Sequence, residues 1–134
     1  MSGEWHWGEG TKFAAEAVKA LFALNGASAV SILTFIGNTH ADSNLLVCSL
    51  VCFAFGAFFA VPAFGTAYLT QLQYGNSEAT AERGSGEAAL YHSAAARWHK
   101  ATYRLVALGA GLFMAGIISA ASGLAHSVHC GLGS

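Results

Sequence analysis

Three long apolar blocks constrain this chain more than any other feature of its sequence. They cover residues 14–37, 44–68 and 105–124, and each supplies about the 20 apolar residues that a helix needs to cross a bilayer. Lipid offers the backbone no hydrogen bonds, so a spanning segment must satisfy its own polar groups, as a helix does. Only 10% of the residues are charged, whereas a soluble domain carries about a quarter. The sequence therefore predicts an all-α, integral membrane three-helix bundle that forms one membrane domain over residues 1–134.

Polar segments beside the blocks predict that two of the helices continue beyond the lipid. The second block runs on as a helix to Gly75 and Asn76, where we expect a turn, and an amphipathic segment, 87–104, leads without a breaker into the third block. Basic residues lie at the start of the first block and between the second and third blocks, which places the N-terminus and this long loop in the cytoplasm. We therefore expect the C-terminus outside, and we expect the second and third helices to extend into the cytoplasm, where 87–104 could bind a protein partner.

Small residues recur at spacings of three and four in all three blocks, a pattern that lets helices approach closely in lipid. The stripes consist of Ala20, Ala23, Ala27, Ser31 and Thr34 in the first block, Cys48, Cys52, Gly56, Ala60, Ala63 and Ala67 in the second, and Ala107, Gly111, Ala115, Ser119 and Gly123 in the third. Gly109, Gly116 and Ala120 form a second small face on the third helix. Because three helices cannot use all these faces within one copy, we predict a homo-oligomer. Phe53 and Phe113 lie off the stripes and are expected to face lipid or a neighbouring subunit.

Three polar residues are candidates for a polar pathway, and one proline is a candidate for a hinge. Asn25, Glu16 and His99 are the candidate pathway residues. The alternative is an interhelical hydrogen bond for Asn25, and for Glu16 an ion pair with Lys12, Lys19 or a basic residue of the long third helix. Pro62, near the middle of the second block, removes one backbone hydrogen bond and should bend the helix. That bend would be either a gating hinge or a static packing feature.

Histidine and cysteine residues gather near the predicted outer side of the membrane. His126, His129, Cys130 and His40 are candidate metal ligands, because imidazole and thiolate groups suit Zn or Cu. The sequence indicates no other cofactor. It contains none of the patterns of nucleophilic, phosphate-binding or zinc-protease chemistry, so we do not expect an enzyme. It also lacks a run of Lys and Arg, which argues against a nucleic-acid partner.

Three short stretches resemble known sequences. Residues 24–30 (Leu-Asn-Gly-Ala-Ser-Ala-Val), 67–71 (Ala-Tyr-Leu-Thr-Gln) and 112–116 (Leu-Phe-Met-Ala-Gly) are similar to short three-span membrane proteins of proteobacteria whose function is uncharacterised. The resemblance covers all three blocks. It implies an origin in the bacterial inner membrane and nothing about mechanism.

The stripes and the amphipathic extension together favour one function over two others. We expect a non-enzymatic, homo-oligomeric inner-membrane protein whose helices form a pore or a membrane-effector assembly. The first alternative is an accessory or scaffold subunit of a larger membrane complex that conducts nothing. The second alternative is a metal-binding or redox subunit that uses the His and Cys ligands.

Overall fold

The computed structural model contains three long helices, α1 (Gly3–Thr39), α2 (Asn44–Glu82) and α3 (Ala88–Gly131). The structure describes the backbone over 3–39, 43–84 and 86–131, and the side chains of Lys12 and of 14–39, 43–84 and 86–125. Each helix holds a segment that is long and apolar enough to cross a membrane, within Ala14–Thr39, Asn44–Glu82 and Ala88–Ala125. The predicted all-helical fold with three apolar helices is therefore confirmed, and the chain is a multi-pass membrane protein by the length and composition of these helices.

The helices are longer than the apolar blocks, and their ends differ from the sequence prediction. The prediction that α2 turns at Gly75 and Asn76 was wrong, because the helix passes through both residues and ends at Glu82. The chain instead reverses at Gly84, whose φ of 67° is a left-handed conformation that glycine adopts without strain. Just before this turn, the Ser77 hydroxyl donates to the Ala88 carbonyl oxygen at 3.0 Å and joins the two helices.

The α2–α3 pair packs over much of its described length through residues in a heptad-like spacing. The buried residues of α2 follow one another at intervals of three and four, with one interval of seven: Leu46, Ser49, Phe53, Gly56, Ala60, Ala63 and Thr70. On α3 the buried residues lie seven or fourteen positions apart: Ala95, Gly109, Gly116 and Gly123. This spacing keeps one seam of each helix facing its partner, as in a coiled coil. Most of the seam residues on α3 are glycines, so α2 and α3 approach closely.

Phe53 lies in this seam, and the prediction that it faces lipid or a neighbouring subunit was wrong. Its side chain is 3% exposed, and its ring centroid lies 5.7 Å from that of Phe113, which is half-buried. Gly116 has no side chain, and that absence makes room for the Phe53 ring on the opposite helix. The glycine on one helix therefore determines where the aromatic ring of the other can lie.

Helix α1 lies against the pair with one face only. Val18 joins Ala60 and Ala63 of α2 in a buried cluster, and Leu105 and Val106 of α3 pack against that cluster. Large apolar side chains remain exposed on all three helices, among them Phe22, Leu33, Phe55, Phe58, Leu108 and Ile118. So many exposed apolar side chains on a single copy suit contact with lipid or with other membrane helices.

Candidate functional site

The three helices meet at Asn25, within the apolar part of α1. Its side chain is fully buried, and its Nδ2 donates to the Leu21 carbonyl oxygen, one turn earlier, at 2.9 Å. Its Oδ1 is also buried and accepts no hydrogen bond from the described residues. A buried amide oxygen without a donor costs free energy, so close packing has to hold this amide in position.

Two glycines provide that close packing. A Cβ atom at Gly56 would collide with the Asn25 amide, 2.6 Å from its Cγ. A Cβ atom at Gly109 would lie 2.9 Å from Leu21 Cδ2 and 3.4 Å from the Gly56 carbonyl oxygen. Any residue larger than glycine at position 56 would therefore displace the amide. The structure places Asn25 inside a single copy, bonded to its own helix and packed against α2.

Hydroxyl groups join α2 to α3 at positions that the sequence analysis did not select. The buried Ser49 hydroxyl donates to the Gly116 carbonyl oxygen at 2.9 Å. Nearer the polar ends, the Thr102 hydroxyl donates to the Thr66 hydroxyl at 2.9 Å. The signal for Ser49 was present in the sequence, because this residue belongs to the alternating three and four spacing of α2 that also contains Leu46.

The structure divides the predicted packing residues into two groups. Gly56, Ala60 and Gly123 are buried between helices of one copy, whereas Ala27, Ser31, Gly111 and Ala115 are exposed and Ser119 is half-buried. A Cβ atom at Gly111 would meet open space. The exposed residues can therefore act only in contacts with lipid or with another molecule, and their role in an oligomer stays a prediction.

The remaining candidate residues are distributed along the helices rather than gathered in one site. Glu16 forms an exposed ion pair with Lys19, with 2.6 Å between Oε1 and Nζ. His99 is exposed, and its ring lies edge-on to that of Tyr103 with 4.7 Å between centroids. Pro62 is half-buried within α2, which continues as one helix on both sides of it. None of these three residues lies beside Asn25.

The predicted metal ligands fall outside the described side chains. This is true of His40, His126, His129 and Cys130, so the metal site stays a prediction. Among the side chains that the structure does describe, no three His, Cys, Asp or Glu residues gather in a metal-binding arrangement.

These features define a class, a helical multi-pass membrane protein in which glycines and hydroxyl groups hold a long α2–α3 pair together. Comparisons of the chain with protein-family models, with curated proteins and with solved structures find no match. Its function therefore has to be argued from its own residues.

Proposed function

We propose that the chain is a subunit of a homo-oligomer in the bacterial inner membrane, and that its copies enclose a pore. The observation that carries the proposal is the outward position of two small-residue stripes on two different helices. One stripe is Ala20, Ala27 and Ser31 on α1, and the other is Ala107, Gly111 and Ala115 on α3, and all six residues are exposed. We refer to them as the α1 stripe and the α3 stripe.

The interior of one copy supports a path between copies rather than through one. Within the described residues, Phe53 and Leu46 fill the seam between α2 and α3, and Gly56 and Gly109 bring the two backbones together. A polar path across the membrane therefore has to run along the outer faces of several copies.

The geometry favours a ring. The α1 stripe and the α3 stripe differ in sequence, so a contact between them joins unlike surfaces of two copies. Contacts of this head-to-tail kind repeat from copy to copy and close into a ring when the rotation allows it. Small residues let membrane helices approach closely, so the two stripes suit such a contact.

A second candidate function, a non-conducting scaffold subunit, is favoured by one specific observation. The apolar parts of the helices, 20–39, 44–77 and 105–125, contain no Asp, Glu, Lys or Arg. A pore between copies would therefore be lined by uncharged polar groups such as the Ser122 hydroxyl. Ser122 is exposed and carries no charge to select ions.

Planar bilayers containing the purified full-length protein separate the two candidates. The pore predicts discrete conductance steps from oligomers, and Gly111→Leu should abolish the steps because leucine would separate the stripes. Leu112→Ala, next to it on the same helix, is the matched control and should conduct like the wild type. A stable wild-type oligomer that never conducts would contradict the pore and support the scaffold.

Orientation belongs to the same proposal, with the N-terminus and the polar ends of α2 and α3 in the cytoplasm and the C-terminus outside. The basic residues support it through the positive-inside rule. A membrane-impermeant maleimide added outside the inner membrane should label the thiol of Cys130 after treatment with reductant and chelator. Labelling that requires a broken inner membrane would reverse the orientation.

A further inference from the structure

Three cations share one exposed face of α3 at the edge of its apolar block. Arg97, Lys100 and Arg104 are spaced by three and four, so their side chains are neighbours on the helix surface. The buried seam toward α2 passes through Ala95 and Gly109. With 3.6 residues per turn, the three cations lie on the opposite side of the helix from this seam. We call them the basic face.

The basic face has no acidic partner in the part of the chain that the structure describes. Helix α3 contains no Asp or Glu between Ala88 and Gly131. Lys19 forms an ion pair with Glu16 on α1, and no described acid pairs with any of the three cations. Three positive charges therefore point outward with nothing in the described chain to neutralise them.

The basic face lies at the level along α3 where the lipid headgroups are expected. Arg104 immediately precedes Leu105, the first residue of the apolar block, and Arg97 lies seven residues, or about 10 Å, further along the helix axis. The headgroup layer is about 5 to 7 Å thick on each side of the bilayer, and long basic side chains can bend along a helix to reach it. Tyr103, which is 65% exposed, adds an aromatic ring of the kind that prefers this level.

We propose that Arg97, Lys100 and Arg104 bind the phosphate group of an anionic phospholipid, such as phosphatidylglycerol, in preference to a zwitterionic one. An anionic headgroup keeps its net charge, whereas the choline of a zwitterionic headgroup cancels the phosphate charge. A lipid fits better than an acidic protein segment because the apolar block begins directly below the cations. The basic face lies on the same side of α3 as the α3 stripe, but it lies beyond the end of the apolar block, at the level of the headgroups rather than of the apolar contacts.

Native mass spectrometry of the full-length protein tests this proposal. The protein is released from a neutral detergent in the presence of increasing phosphatidylglycerol or phosphatidylcholine, and the two apparent dissociation constants are compared. The test variant is R97Q/K100Q/R104Q, and the matched control is K12Q/K19Q/R83Q, which changes the net charge equally. Wild type and control should prefer phosphatidylglycerol, and the test variant should lose roughly fivefold of that preference per cation removed.

Three further measurements make the outcome decisive. The variant R97K/R104K keeps the charges and should keep the preference; loss of preference there would overturn the assignment to charge. Equal binding of the two lipids by wild type, or equal losses in test and control variants, would overturn the proposal. Inorganic phosphate and a polyglutamate peptide serve as competitors, and displacement of the lipid by either one at matched anion concentration would show that the site is not a lipid site.

Discussion

Replacing Gly56 by alanine should weaken the attachment of α1 to the other two helices. The added Cβ atom would collide with the amide of Asn25, 2.6 Å from its Cγ. Asn25 is fully buried, and its amide lies where that Cβ atom would be placed. The amide therefore has to rotate away, which breaks its hydrogen bond to the Leu21 carbonyl oxygen.

The size of the effect follows from these two changes. Forcing an extra methyl group into a packed interior costs about 1 to 3 kcal/mol. A hydrogen bond between membrane helices contributes about 0.6 to 2 kcal/mol, and we take the lower part of that range because this bond lies within α1. The free energy of unfolding should therefore fall by about 2 to 4 kcal/mol.

The double variant Gly56→Ala, Asn25→Ala tests whether the collision with the Asn25 amide causes the loss of stability. Alanine at position 25 removes the amide that the new methyl group would meet. Gly56→Ala should therefore cost little in a chain that already carries Asn25→Ala. We expect a coupling free energy of about 1 to 3 kcal/mol, the cost of the overpacking that Asn25→Ala would relieve. Gly65→Ala is the control on the same helix, because a Cβ atom there meets open space.

Unfolding is measured in mixed micelles with an increasing fraction of denaturing detergent. Near-ultraviolet circular dichroism is the readout, because it reports the packing of aromatic side chains while helix content changes little in such detergents. An equal cost of Gly56→Ala with and without Asn25 would refute the reasoning, since the collision would then not be with the amide.

Two smaller expectations use the same assay. Gly116→Ala should lower the free energy of unfolding by about 1 to 3 kcal/mol, because its Cβ atom would lie 2.6 Å from the buried Phe53 ring. Gly111→Ala is the control and should leave the free energy of unfolding unchanged, because a Cβ atom there meets open space. Ser49→Ala should cost about 0.6 to 2 kcal/mol through loss of its bond to α3. Ser31→Ala should cost almost nothing, because this exposed hydroxyl bonds only to its own helix at Ala27.

The hydropathy of the three blocks was sufficient to predict the helices. Unpaired backbone N–H and C=O groups are costly in lipid, and a helix is one of the few structures that pairs them all. The end of α2 was harder to predict. Gly75 and Asn76 are typical of a turn, yet the helix continues past them and is joined to α3 by the Ser77 hydroxyl. A bond to a residue eleven positions away is a tertiary contact that local preferences do not contain.

The register of α3 could not be decided from that helix alone. It carries two small faces, and both satisfy the local rule for close packing. The structure buries Gly109 and Gly116 and leaves Gly111 and Ala115 exposed. The choice depends on α2, where Phe53 needs the space opposite Gly116. The seven-residue spacing of the glycines matches the heptad-like spacing on α2. The seam could therefore be identified only by comparing the sequence patterns of both helices.

The most direct test of the proposed ring is disulfide crosslinking between the α1 stripe and the α3 stripe. Leu21 contacts the Gly109 position, so Ala27, six residues further along α1, lies at about the height of Ala115, six residues further along α3. In a variant lacking the three native cysteines, Ala27→Cys with Ala115→Cys should give crosslinked dimers and larger species in membranes. Neither single variant should crosslink strongly, because the contact joins unlike surfaces. Monomers alone in the double variant, at any protein density, would contradict the ring and the pore built on it.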